Sequence, residues 1–193
     1  MKGSVLFLGS MVIFLCAMGC KSDYTKYVER ELAKEGREDS LLLGMYIGEK
    51  NTDFFEKCLQ LNLAGKVTNG SGNRAVYKEE MDTTKDMTFQ KELRFYGTFD
   101  VKNTMIGMEM EYLYANWAPW NKQLYADSLV LKLIPELEQR YGGNKFMEFD
   151  IQGDSIKSYV KIDKNRQILM YKLNVREVKV KITDLTAKKD KIK

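Results

Sequence analysis

Met105-Ile106-Gly107-Met108-Glu109-Met110-Glu111-Tyr112-Leu113-Tyr114 is the stretch that decides the fold class. Ile106, Met108, Met110, Tyr112 and Tyr114 occupy one side of a period-two pattern, and Glu109 and Glu111 the other. That alternation belongs to a strand with one face on a core and one toward water, the usual antiparallel case. Upstream, Phe89, Leu93, Phe95 and Phe99 alternate in the same way against Gln90, Glu92 and Arg94. A turn at 100–103 joins the two runs. Downstream, strands are expected over 145–151, 156–162, 168–173 and 178–182. The last sets Val178, Val180 and Ile182 against Lys179, Lys181 and Thr183, and 163–166 is a hairpin turn.

Two helices interrupt the strands. Asp53 with Glu56 has the spacing of a capping box and opens a helix over 54–63, with Gly65 as its C-terminal cap. Phe54, Phe55, Cys58, Leu59 and Leu61 are its apolar residues. A second helix is expected over 122–141, with the stripe Val130, Leu133, Leu137 and Tyr141. Pro135 lacks the N–H that would bond Leu131 and is expected to kink it, and Gly142-Gly143 ends it. Leu41 to Ile47 reads as a buried strand or turn. Asn69 to Gly72 is a turn leading into a strand at 75–77.

The expected fold is therefore α+β: an antiparallel sheet with two main helices, in two halves that are each a helix followed by a β-meander. The first half spans 40–118 and the second 119–187, with a break near Pro119-Trp120. Residues 1–19 read as a signal, 20–39 as a tether and 188–193 as a basic tail. Tyr24, Val28 and Leu32 lie at helical spacing within the tether, and Gly36 can end a short helix there. The tail, Lys188-Lys189-Asp190-Lys191-Ile192-Lys193, is expected to be disordered and suited to anionic lipid head groups.

Composition narrows the chemistry. The 193 residues include no His, two Pro and three Cys. Without His there is no His-activated nucleophile, no His proton shuttle and no His-ligated metal site. Apolar residues make up 44% of the chain, enough for a core. The net charge of +4 is small and drawn from mixed signs, unlike that of a nucleic-acid binder. Lys2 and the six-residue tail account for it, and residues 20–187 carry equal numbers of basic and acidic side chains.

The N-terminus carries one charge, Lys2, then an apolar stretch from Gly3 to Gly19, then Cys20-Lys21-Ser22-Asp23. A short positive start, an apolar run and small residues at its end form a secretory signal. Ala17-Met18-Gly19-Cys20 resembles the lipobox of bacterial lipoproteins. The resemblance implies a diacylglycerol on the Cys20 thiol, cleavage between Gly19 and Cys20, and acylation of the new amine. The polar Lys21-Ser22-Asp23 is similar to the segment after the lipidated Cys in envelope lipoproteins of Bacteroidota. It implies a cell-envelope, outer-membrane location, facing the periplasm or the cell surface. Cys16 then leaves with the signal and Cys20 is consumed by lipid. Cys58 remains as the one thiol, without a disulfide partner, and is expected to pack as a small hydrophobe. The order of elements is similar to small envelope domains with a helix laid across a β-meander, such as outer-membrane assembly lipoproteins of the SmpA type and β-lactamase inhibitor proteins. That order implies a fold and carries no function.

Several motifs bear on chemistry. Ser158-Tyr159-Val160-Lys161 matches the S-x-x-K of Lys-assisted serine enzymes, which place both residues on one helix face. In a strand a spacing of three sends them to opposite faces, so chance is the favoured account. The acidic loop 79–86 lacks the Gly and terminal Glu of a calcium loop and reads as solvated. Gly65-Lys66 and Gly70 to Asn73 lack the phosphate-binding G-x-x-x-x-G-K-[ST] pattern. Glu109 and Glu111 share a strand face, the arrangement a carboxylate-dependent glycan hydrolase would use, and this is the alternative enzymatic reading. The aromatic cluster at 112–125 holds both tryptophans, Trp117 and Trp120, at a strand-to-helix connection. Such residues anchor contacts with proteins and sugars, or else fill the seam between halves. The leading expectation is a non-enzymatic, lipid-anchored envelope protein in a binding or structural role, with no cofactor and no metal. Trp117 and Trp120 would contact a protein or glycan partner.

Overall fold

The computed structural model describes residues 22–70, 72, 74–78, 89–150 and 157–187. The signal, Cys16, Cys20, the acidic loop 79–86 and the basic tail lie outside the described residues. The fold is α+β. Helices α1 (Asp23–Leu32), α2 (Asn51–Leu63) and α3 (Ala126–Tyr141) accompany strands β1 (Val67–Asn69), β2 (Ala75–Lys78), β3 (Lys91–Phe99), β4 (Met105–Tyr114), β5 (Met147–Asp150), β6 (Lys157–Asp163), β7 (Arg166–Lys172) and β8 (Val178–Asp184).

The strands form one antiparallel sheet in the order β1-β2-β3-β4-β8-β7-β6-β5. Helix α2 precedes the β1–β4 meander, and α3 precedes the β5–β8 meander. The last strand of each meander, β4 and β8, meets the other antiparallel at the centre, with Met110 opposite Val180. Alternation then assigns each residue to a face. Leu93, Phe95, Met108, Met110, Tyr112, Ile168, Met170, Val178, Val180 and Ile182 fall on one face and form a single core with Phe54 of α2 and Leu129, Leu133 and Leu137 of α3. Both halves therefore share one core.

The helix starts differ from the sequence expectation. Helix α2 begins at Asn51, with Lys50 at the cap position and no side-chain cap. Its start is set by the β3–β4 turn instead of a capping box: Asn51 N donates to the Asn103 carbonyl at 2.9 Å, and Lys50 bridges Thr104. Asp53 sits inside the first turn, where its charge suits the helix dipole. The expected helix over 122–141 is broken at Tyr125, which is extended (ψ 157°); a short 3-10 turn at Lys122–Leu124 precedes α3. Helix α3 continues through Pro135. At its end Gly142 and Gly143 both have positive φ, and a Cβ on Gly143 would collide with the Asp163 carboxylate.

Helix α1 lies on the other face of the sheet. The stripe expected from spacing was Tyr24, Val28 and Leu32, but the buried residues are Tyr27 and Glu31. Tyr27 packs with Val160 and Ile162, and Phe149, Leu169 and Leu185 border them. Its hydroxyl donates to the Ile162 carbonyl (3.2 Å) and accepts from the Ile162 N–H (3.1 Å). It thus replaces a strand partner ahead of the start of β5, whose pairing with β6 covers only 157–160. Glu31 is buried because Lys34 neutralises it at 2.7 Å. From α1 the chain is clamped to the β6–β7 turn and the end of β8. Glu38 N donates to Asn165 (2.7 Å), Arg37 bonds Asp184 (2.9 Å) and Thr186 (3.1 Å), and Arg166, fully buried, bonds Ser40. Leu41, Leu42, Met45 and Ile47 then enter the apolar core on the opposite face.

Candidate functional site

The strongest candidate is the surface at the end of β4, the loop 115–125 and the β7–β8 turn. β4 ends at Tyr114, and Trp117 N donates back to its carbonyl at 3.3 Å. A second turn closes between Asn121 N and the Ala118 carbonyl at 3.0 Å. Tyr125 OH donates to the Pro119 carbonyl at 2.5 Å, fixing the loop over the start of α3. Val175 accepts from Ala126 N at 2.9 Å, tying the β7–β8 turn to the same helix start.

This scaffold treats the two tryptophans differently. Trp117 is half-buried and packs against the core. Its ring lies near-parallel to Tyr125 with centroids 6.1 Å apart, and the Arg176 guanidinium sits 4.8 Å from the centroid of its ring. Its Nε1–H is buried and has no acceptor among the described residues. Trp120 is 86% exposed. An indole left in water while its neighbour three residues away is packed gains nothing for the fold, so Trp120 does not fill the seam between halves. Trp, Tyr and Arg are the residue types that anchor interfaces; Trp117, Tyr125 and Arg176 meet here, and Trp120 stands exposed on the same loop.

The turn that supplies Arg176 also borders a groove of about 820 Å³ between α3 and the β6–β7 hairpin. Val130, Leu131, Tyr159, Leu173 and Val175 form its apolar wall, and Leu131, Leu173 and Val175 are exposed. Lys157, Lys172 and Asp127 form its polar rim, with Lys172 and Asp127 paired at 2.5 Å. An apolar groove with a charged rim has the composition of a binding surface.

Glu109 and Glu111 lie on the face opposite the main core, as their alternation predicted. Each faces a lysine directly across the β4–β8 pair: Glu109 opposite Lys181, Glu111 opposite Lys179. Lys179 Nζ lies 2.6 Å from Glu109 and 3.1 Å from Glu111, Lys181 lies 3.2 Å from Glu109, and Arg74 pairs with Glu111. Tyr96 OH donates to Glu109 at 2.5 Å. Burial pushes the Glu109 carboxyl up, but the hydrogen bonds from Lys179, Tyr96 and Lys181 outweigh it and bring it down to about 2. At that value Glu109 is ionised near neutral pH and has no proton to deliver to a leaving group. The arrangement is that of cross-strand ion pairs.

The remaining motifs resolve simply. Ser158 and Lys161 are both fully buried and, three apart on β6, occupy opposite faces. Lys161 pairs with Asp163. Cys58 is half-buried against the core, and burial, with Glu49 adding, pushes its thiol up to about 11, far from a reactive thiolate. Among the described residues no group of His, Cys, Asp and Glu is placed to hold a metal ion, and no helix is long and apolar enough to cross a membrane. Sequence reasoning missed the groove and Arg176. Their signal was the apolar pair Leu173 and Val175 within an otherwise polar hairpin turn.

Comparison of the chain with protein families, with curated proteins and with solved structures gives no match.

Proposed function

We propose that the mature chain is a bacterial cell-envelope lipoprotein, attached to the outer membrane through lipid on Cys20. In this reading it binds a protein or glycan partner, without catalysis, at the surface around Trp120. The observation that carries the binding role is the 86% exposure of Trp120 beside a Trp117 held by Tyr125 and Arg176. Trp117 and Arg176 build a rigid platform, and Trp120 projects from the turn that this platform supports. A large aromatic with only two side-chain torsions loses little conformational entropy on contact, which favours both stacking on a sugar ring and insertion into a protein pocket. The apolar groove at Leu131, Leu173 and Val175 extends the contact area. The lipid anchor rests on the lipobox resemblance of Ala17-Met18-Gly19-Cys20.

Two experiments test this reading. Metabolic labelling with a fatty-acid analogue should tag the wild-type chain and not Cys20→Ala; equal labelling removes the anchor. A photo-crosslinking amino acid at position 120, in cells with intact envelopes, should give one discrete adduct that the same probe at Glu56 does not give. Identical adduct patterns from the two positions remove Trp120 from the contact.

A further inference from the structure

β3 is longer than the strand beside it. It runs over nine residues and β2 over four. β2 pairs with Glu92 to Phe95, its first residue Ala75 lying opposite Phe95. Among the described residues, Tyr96 to Phe99 have no strand partner on that side. β2 does not extend along them because the chain turns back toward β1, where Gly70 N donates to the Arg74 carbonyl at 2.7 Å. On its other side this part of β3 is paired with β4, Tyr96 with Glu109 and Gly97 with Met108.

The register fixes where the main chain of Gly97 points. Ala115 N donates to the Gln90 carbonyl at 2.8 Å, and these residues are partners one step beyond Lys91 and Tyr114. In an antiparallel ladder such hydrogen-bonded pairs recur at every second residue. The even-numbered residues of β3 therefore turn N–H and C=O toward β4, and the odd-numbered ones turn them toward β2. Phe95 meets Ala75 there. Gly97, two residues on, directs its N–H and C=O past the end of β2.

A cavity of about 740 Å³ lies at this place. Gly97 has no side chain and lines it with main chain alone. Phe54, Phe55 and Cys58 of α2 and Phe99 of β3 form an apolar wall. Phe55 is 58% exposed, with its ring 6.3 Å from that of Phe99. A glycine inside a strand marks close approach of another backbone or a ligand. Here it also makes room for the wall, since a Cβ would lie 2.5 Å from Met105 Cε and 2.7 Å from Phe99 Cζ. Arg74 is the one charged side chain among the described lining residues, and Glu111 neutralises it. The cavity thus offers a strand's donor and acceptor, an aromatic wall and no unbalanced charge. An uncharged, extended peptide complements all three. One of its residues supplies a C=O and an N–H to Gly97, and the side chain of that residue falls on the face of the apolar wall.

We infer that this cavity binds an extended, uncharged peptide segment of a partner protein, which adds a short strand beside Tyr96 to Phe99 and packs one bulky apolar side chain against Phe54, Phe55 and Phe99. The site is separate from the Trp120 surface. Met108, opposite Gly97, lies six residues along β4 from Tyr114, where the tryptophan loop begins, a distance of about 20 Å.

The test uses the full chain in phosphatidylcholine nanodiscs and the peptide acetyl-Thr-Val-Phe-Val-Thr-amide. Saturating peptide should slow hydrogen exchange at the Gly97 amide about tenfold and leave that at Ile162 unchanged. Phe→Ala in the peptide should weaken binding about tenfold, and so should the depsipeptide in which an ester replaces the Phe N–H. Phe55→Ala, at an exposed ring, should weaken binding several-fold with an unchanged circular dichroism spectrum, and Trp120→Ala should leave binding as it is. A depsipeptide that binds as tightly as the amide, or Gly97 exchange that does not move at saturation, overturns strand addition. Loss of binding in Trp120→Ala but not in Phe55→Ala places the peptide at the other surface and overturns the site. Absence of binding at millimolar peptide overturns it as well.

Discussion

The two faces of the central sheet solve the same problem with different chemistry. On the face beneath α2 and α3, β4 and β8 contribute Met108, Met110, Val180 and Ile182, all fully or almost fully buried. On the other face the same two strands contribute Glu109, Glu111, Lys179 and Lys181, which neutralise one another across the strand pair. The first face is stabilised by apolar burial and packing. The second is filled by cross-strand ion pairs, whose value depends on every partner being present. The contrast teaches that one alternating strand can serve as core and as a charge ladder at once. It also shows that paired carboxylates on a strand are not evidence of catalysis once their lysines are located.

The largest effect should come from the apolar face. Leu133→Ala, at a fully buried position of α3, is expected to cost about 3 kcal/mol in urea unfolding. On the charged face Glu111→Ala leaves Lys179 and Arg74 short of a partner and is expected to cost about 2 kcal/mol. If the two losses were equal, the distinction between the faces would blur. Next in size is Tyr27→Phe. It removes one hydroxyl and leaves the Ile162 N–H and carbonyl without it, at about 1 kcal/mol. Hydrogen exchange at Ile162 should rise with it.

A pH series separates the faces without mutation. The Glu109 pKa is lower in the folded chain than its ordinary value of 4.5, so its contribution to stability is complete above that pH. The contribution is lost as pH falls from about 4.5 toward about 2. Glu109→Gln should flatten this part of the stability–pH curve, and Leu133→Ala should shift the whole curve without changing its slope there. The smallest effect on stability should be that of Trp120→Ala, within about 0.5 kcal/mol, because the side chain touches little of the fold. Trp117→Ala, which removes a packed ring, should cost clearly more.

The sequence made the strands most readable where a two-residue period ran long enough. β3, β4 and β8 were visible because each sets apolar against charged residues over several positions. The three-residue β1 was not, since a strand that short has no period to detect. Helix α1 was visible as a helix but not in its phase. Spacing chose Tyr24, Val28 and Leu32, but the structure buries Glu31 in place of Leu32, a choice that depends on Lys34 and on the distant β6–β7 turn. The start of α2 was misplaced for a similar reason, because its first turn is held by backbone groups of the β3–β4 turn. At the candidate surface both tryptophans were legible as an aromatic cluster. Which one packs was not, because Trp117 is held by Arg176 from a turn 59 residues away in sequence.

In the proposed function Trp120 is a contact residue outside the fold's own packing. It is tested most directly by comparing Trp120→Ala with Trp117→Ala in two readouts, urea unfolding and the yield of the envelope adduct formed by a photo-crosslinking amino acid at the groove residue Leu131. Trp120→Ala is expected to leave stability within about 0.5 kcal/mol of wild type and to reduce the adduct strongly. A Trp120→Ala chain that unfolds as easily as Trp117→Ala, or that forms the adduct at the wild-type yield, would contradict it.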